Sequence, residues 1–246
     1  MNQPDTRSPQ TVARIAGALY LLIIVVASFG EFFVRSPLVV IDDAAATAAN
    51  ISASGQLFRW GAGAQLITLV CDVALAALFY LLMRPVNEVV ALLSCFFRLG
   101  AILIVAASIV FYTLPIMLLQ DASLQQGLST EIIHSLSLLS LRLHTAAYTV
   151  CLFLFGVHCL LLGWLIASAK FLPRLIGVAL ILAGFAYVAN SFSFFVYPPA
   201  TALIFPVMVP LAFAAEAALA LWLLFVGVKA DAWRTQADAV SAGEGP

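Results

Sequence analysis

Long apolar runs separated by short polar breaks dominate this chain. Six stretches, near 13–34, 61–83, 89–119, 141–167, 174–196 and 206–228, are apolar on nearly every face. Each holds the roughly 20 residues that a helix needs to cross a hydrocarbon core about 30 Å thick. Strands of a membrane barrel would alternate polar and apolar side chains, and these runs do not. Helices satisfy their own backbone hydrogen bonds, as lipid requires. The pattern therefore predicts an all-α membrane protein, a bundle of six transmembrane helices in a single domain over 1–229, followed by a flexible cytoplasmic tail over 230–246.

The breaks give the layout. Arg84-Pro85-Val86-Asn87-Glu88 is short enough to make the second and third spans an antiparallel hairpin, and Phe171-Leu172-Pro173-Arg174 does the same for the fourth and fifth. Arg7, Arg14, Arg84, Lys170, Arg174, Lys229 and Arg234 fall at one set of span ends, against Arg35 and Arg59 at the other. The positive-inside rule then places both termini in the cytoplasm. Asp42, Asp121 and Glu131 belong to the opposite compartment.

The outer loops are longer. Asp42-Asp43 followed by Ala44-Ala45-Ala46-Thr47-Ala48-Ala49-Asn50-Ile51 has the acidic start and helix propensity of a short interfacial helix, either a structural lid or a substrate gate. From Ser129 to Ala169 nothing breaks a helix, and at 1.5 Å per residue that segment reaches about 60 Å, so part of it must bend or stand outside the bilayer. Ser129 or Thr130 is its expected N-cap. The first run follows Arg7 and Arg14, and Val25-Val26-Ala27 resembles a cleavage site, but the run continues through Phe29, Phe32 and Phe33. That length favours an uncleaved first helix.

Composition sharpens this picture. The 246 residues are 64% hydrophobic and 9% charged, with a mean hydropathy of +1.10, more apolar side chain than a soluble domain buries. The expected partner is the lipid bilayer. A net charge of −1 without a Lys/Arg cluster argues against a nucleic-acid partner. Cys71, Cys95, Cys151 and Cys159 all fall inside spans and read as small buried hydrophobes rather than disulfides.

Ionisable groups at depth cost roughly 2.5–3.5 kcal/mol each on insertion scales, so each needs a partner or a wet cavity. Asp72 and Arg98 lie at similar heights above the turn joining their spans, which brings opposite charges to one level. They read as a salt bridge that locks two helices, or as part of an ion or proton pathway. Glu216 lies within the last span among Ala212, Ala215, Ala218 and Ala220, with no basic residue in reach on its own helix. It must be protonated, paired with another helix, or wet. Glu31, Arg142 and His144 share an outer level with Asn190 slightly deeper. That group reads either as interfacial side chains reaching water or as a headgroup site or proton relay, since His titrates near neutrality.

Other chemistry finds little footing. His144 and His158 return to one helix face fourteen residues apart, as in membrane cytochromes, but the remaining histidine, His134, is on the same segment, so no haem and no other cofactor is expected. There is no HExxH, no ligand-spaced cluster for a metal and no GxSxG. Ala13 with Gly17, Ala179 with Ala183, and Ala212, Glu216 and Ala220 recur four apart and predict faces where helix backbones approach. Tyr197, Trp222 and Trp233 read as packing or interfacial anchors. No 20–50-residue repeat or inverted duplication stands out.

Several motifs resemble one family. Cys71-Asp72-Val73-Ala74-Leu75-Ala76, Arg84-Pro85-Val86-Asn87, Phe97-Arg98-Leu99, Phe155-Gly156-Val157-His158 with Leu162-Gly163, Phe171-Leu172-Pro173-Arg174-Leu175-Ile176-Gly177 and Trp222-Leu223-Leu224 look like the bacterial membrane family called domain of unknown function 4386. The resemblance runs from Ala13 to about Lys229 and departs at Trp164, where Tyr is expected. It implies a multi-pass bacterial inner-membrane protein and lends no activity, cofactor or catalytic residue. The leading reading is binding or translocation of an unidentified small ligand. The rivals are an enzyme acting on a lipid or quinone, with His144 and Glu31 as acid and base, and a non-catalytic membrane partner or regulator.

Overall fold

The computed structural model describes residues 8–241. The described residues form α1 (Pro9–Leu38), α2 (Ala44–Ala53), α3 (Gly55–Met83), α4 (Glu88–Gln120), α5 (Ala122–Gln125), α6 (Thr130–Ser168), α7 (Arg174–Val196), α8 (Pro198–Val226) and α9 (Ala230–Ser241), and no strand. Six of these, α1, α3, α4, α6, α7 and α8, are long and apolar enough to cross a membrane. The protein is an all-α, multi-pass membrane protein. Its side chains sort inside out for a bilayer: Leu175, Leu203 and Val70 are among the most exposed, whereas Arg98 is the largest fully buried side chain.

Helix ends follow local chemistry. Asp43 caps α2, its Oδ1 accepting from the Ala46 amide at 2.8 Å, which satisfies a donor the first turn leaves free. Asp121 does the same for α5, accepting from the Ser123 amide at 2.8 Å and its hydroxyl at 2.6 Å; those bonds hold its carboxyl below the usual range. Ser129 caps α6 through Oγ and the Ile132 amide at 3.4 Å.

Four spans begin ahead of their apolar runs: α1 at Pro9 rather than 13, α3 at Gly55 rather than 61, α6 at Thr130 rather than 141 and α8 at Pro198 rather than 206. The start of α6 falls where the unbroken helical stretch and its expected cap at Ser129 or Thr130 put it. Prolines at 198 and 199 fit the first turn of a helix, where an amide has no intrahelical partner anyway. Residues 230–241, expected within a flexible tail, form α9, and the Trp233 indole donates to the Leu82 carbonyl at 2.9 Å.

The chain packs as two compact units. The first comprises the described parts of 1–22, 71–101 and 151–246, and the second comprises 23–70 and 102–150. In the first, α6 and α7 approach backbone to backbone. A Cβ on Gly177 would sit 2.5 Å from the Gly163 carbonyl oxygen and 2.5 Å from the Ala167 amide nitrogen, so only glycine permits that crossing. The end of α8 widens into a π-turn over Trp222–Val226 and stops at Gly227, whose φ of 78° suits glycine. Gln10 of α1 clasps this stop, donating to the Val226 carbonyl at 2.8 Å and accepting from the Val228 amide at 2.9 Å.

The second unit is cored by Val34, Leu38, Ile51, Phe58, Tyr112, Ile116 and Leu141, with Phe58 and Tyr112 stacked at 4.5 Å. Here α1 carries a second π-turn, Phe29–Arg35. No hydropathy pattern signals such a turn, since it adds one residue without changing composition.

Candidate functional site

Within the first unit, each of the six spans sends at least one polar side chain into a single group. Arg98 of α4 is its centre, 1% exposed. Its Nε donates to Asp72 Oδ1 of α3 at 3.0 Å, and Nη2 donates to the same oxygen. Nη1 lies 3.1 Å from His158 Nε2 of α6. A guanidinium only donates, so His158 must accept at Nε2 and carry its proton on Nδ1. That proton points at the Ser94 carbonyl, 2.9 Å away, with Ser94 Oγ also at 2.9 Å. His158 is therefore a neutral, fixed tautomer, held by both of its nitrogens.

Aromatic rings close over the cation. The Arg98 guanidinium carbon lies 5.3 Å from the centroid of Tyr20, 5.6 Å from Phe79 and 5.3 Å from Phe155, all within cation–π range. Tyr20 of α1 links this half to the next. Its hydroxyl donates to Glu216 Oε2 of α8 at 2.9 Å, and Tyr187 of α7 donates to Glu216 Oε1 at 2.6 Å. Thus α1, α3, α4, α6, α7 and α8 supply Tyr20, Asp72, Arg98, His158, Tyr187 and Glu216. The space beside His158, bordered by Phe79, Ser94 and Leu162, is too narrow for a water molecule.

Asp72, Arg98 and Glu216, expected as intramembrane polar candidates, thus meet in one network. The bond between Asp72 and Arg98 is direct, while Glu216 is held by two phenols rather than by Arg98. Tyr20, Tyr187 and His158 are the members that sequence reasoning does not place there. A signal exists for the tyrosines, because a hydroxyl in mid-span needs a partner as surely as a carboxylate does.

Glu31, Arg142, His144 and Asn190 do not share one network. Glu31 accepts from Arg35 at 2.9 Å, one turn along its own helix, and Arg35 donates onward to Thr145 at 2.7 Å. Arg142 donates to the Ile41 carbonyl at 2.7 Å and lies 3.7 Å from Asp42. His144 Nδ1 lies 3.1 Å from the Ser108 carbonyl, with the ring edge-on to Tyr112 at 5.3 Å. These three belong to the second unit, whereas Asn190 belongs to the first, where it is buried with its side-chain oxygen unbonded. Arg35, which the depth pattern alone does not single out, takes Glu31 because an i,i+4 partner is always within reach.

Among the described residues, no three His, Cys, Asp or Glu side chains gather as metal ligands, and all four cysteines are free. No curated protein and no solved structure matches the chain. A family model does, over residues 15–227, a stretch that takes in every member of the network: the chain belongs to the family described as Domain of unknown function (DUF4386).

Proposed function

We propose that this chain is a protein of the bacterial inner membrane, with both termini in the cytoplasm, that binds or translocates a small ligand, and that the six-residue network is its closed gate. One observation carries the reading. Every span of the first unit contributes a bonded polar side chain, so no span can shift without breaking or exchanging one of those bonds, which is how a packed core comes to have discrete states. Acid–base chemistry on a lipid or quinone has less support, because Glu31 and His144 have separate partners. The excess of Lys and Arg at one set of span ends supports the orientation.

Cys159, adjacent to His158 and 1% exposed, is a native reporter of opening. In reconstituted vesicles it should resist a hydrophilic maleimide in the wild-type protein. It should become reactive in Tyr20→Phe and Tyr187→Phe, which loosen Glu216 without removing a charge, while melting behaviour stays close to wild type. Protection of Cys159 in both variants up to their unfolding temperature would mean that the network only fastens helices, as suits a non-catalytic partner or regulator. Orientation is tested separately. Asp42→Cys should label from outside intact cells, and labelling of Arg84→Cys there would overturn it.

A further inference from the structure

The charges of the network do not balance. Arg98 is its only cation, and Asp72 already takes two of the guanidinium's donors. His158 contributes no charge, because its Nε2 accepts from Arg98 and its Nδ1–H is directed at Ser94. Two carboxyl groups therefore face one positive charge. The second, Glu216, has no ion-pair partner among the described residues and is bonded only by the phenols of Tyr20 and Tyr187. A fastening needs one anion for its cation, so the extra carboxyl calls for another explanation.

We infer that Glu216 is a protonation site, a carboxyl in mid-membrane that binds and releases one proton. The step is –COO⁻ + H⁺ ⇌ –COOH, with bulk water as the proton's source and sink. Protonation makes the network neutral, the state that a low-dielectric interior favours. The bonds suit either state, because a phenol both donates and accepts. With the carboxylate, Tyr20 and Tyr187 both donate to it. With the acid, Glu216 donates through the short 2.6 Å contact to Tyr187 and still accepts from Tyr20 at 2.9 Å.

Every neighbouring span presents a group that senses the change. These are Tyr20 from α1, Asp72 from α3, Arg98 from α4, Cys159 from α6 and Tyr187 from α7. Loss of the proton leaves a second anion beside Arg98, which weakens that residue's exclusive pairing with Asp72. The charge count and the bonding pattern are the same whether or not the network opens as a gate.

Infrared difference spectroscopy on the purified full chain in lipid tests it without a labelling reagent. The wild-type protein should show a carboxylic-acid C=O stretch that Glu216→Gln lacks, that shifts in heavy water, and that disappears reversibly as the pH is raised. Tyr187→Phe, which keeps the acid and removes one bond, should move the same band to higher frequency. This variant preserves the test if Glu216→Gln does not fold. Absence of the band at every pH, with no effect of Tyr187→Phe, would mean a permanently ionised Glu216. A band that neither exchanges in heavy water nor titrates would mean a fixed structural acid. Either result overturns the inference.

Discussion

Arg98 in the first unit and Arg35 in the second both project from membrane-spanning helices and both pair with a carboxylate, yet their partners come from different distances along the chain. Arg35 takes Glu31, one turn away on α1, and adds Thr145; the Arg35 and Glu31 side chains are 22% and 50% exposed. Arg98 is 1% exposed and draws its bonds from α3 and α6 and its aromatic cover from α1, α3 and α6. A charge near water can be satisfied locally, whereas a charge fully withdrawn from water must gather partners from the whole bundle. The first unit therefore gathers its polar side chains into one connected group, while the second spreads its inter-helix bonds, such as Arg35 to Thr145 and His144 to the Ser108 carbonyl, over separate pairs.

Breaking the centre should have the largest effect. Arg98→Gln leaves Asp72 without its cation and His158 without its donor, and should lower stability by about 3–5 kcal/mol, the usual cost of orphaning a buried partner. Differential scanning fluorimetry in detergent would read this as a steeper fall in melting temperature than Gly177→Ala, His144→Phe or Arg142→Ala produces. A next tier concerns packing. Gly177→Ala puts a methyl against the Gly163 and Ala167 backbone, which no rotamer change relieves, and should cost about 1–3 kcal/mol by the same assay.

The second unit should be more forgiving. His144→Phe keeps the ring beside Tyr112 but loses the bond to the Ser108 carbonyl, and a loss of about 1 kcal/mol is expected. Arg142→Ala should be the mildest, within about 1 kcal/mol of wild type, because both members of its pair with Asp42 lie more than half exposed. A fall for Arg142→Ala as large as that for Arg98→Gln would erase the distinction between the two units.

Much of the fold is legible because six apolar runs of spanning length have one stable solution in lipid. The ends are less so. Prolines at 198 and 199 sit in the first turn of α8, where a proline breaks nothing, whereas Pro206 and Pro210 lie inside the helix. The stretch 230–241 resembles a tail, because its polar composition hides a helix with Trp233 anchored on Leu82. The pairing of Asp72 with Arg98 can be read from the register of one hairpin, a local constraint. The attachment of Glu216 to Tyr20 and Tyr187 cannot, because it depends on which helices become neighbours. The same gap groups Asn190 with Glu31, Arg142 and His144: equal depth in a sequence pattern does not fix a shared face.

A double-mutant cycle at the heart of the first unit tests most directly whether its buried charges act as one connected group. Thermal stability would be compared for the wild type, Asp72→Asn, Arg98→Gln and the double variant in the same lipid or detergent. A connected pair predicts that each single substitution is costly and that the double variant recovers part of the loss, because neither partner is then left as an uncompensated charge. Losses that simply add would contradict it, leaving Asp72 and Arg98 as independent neighbours.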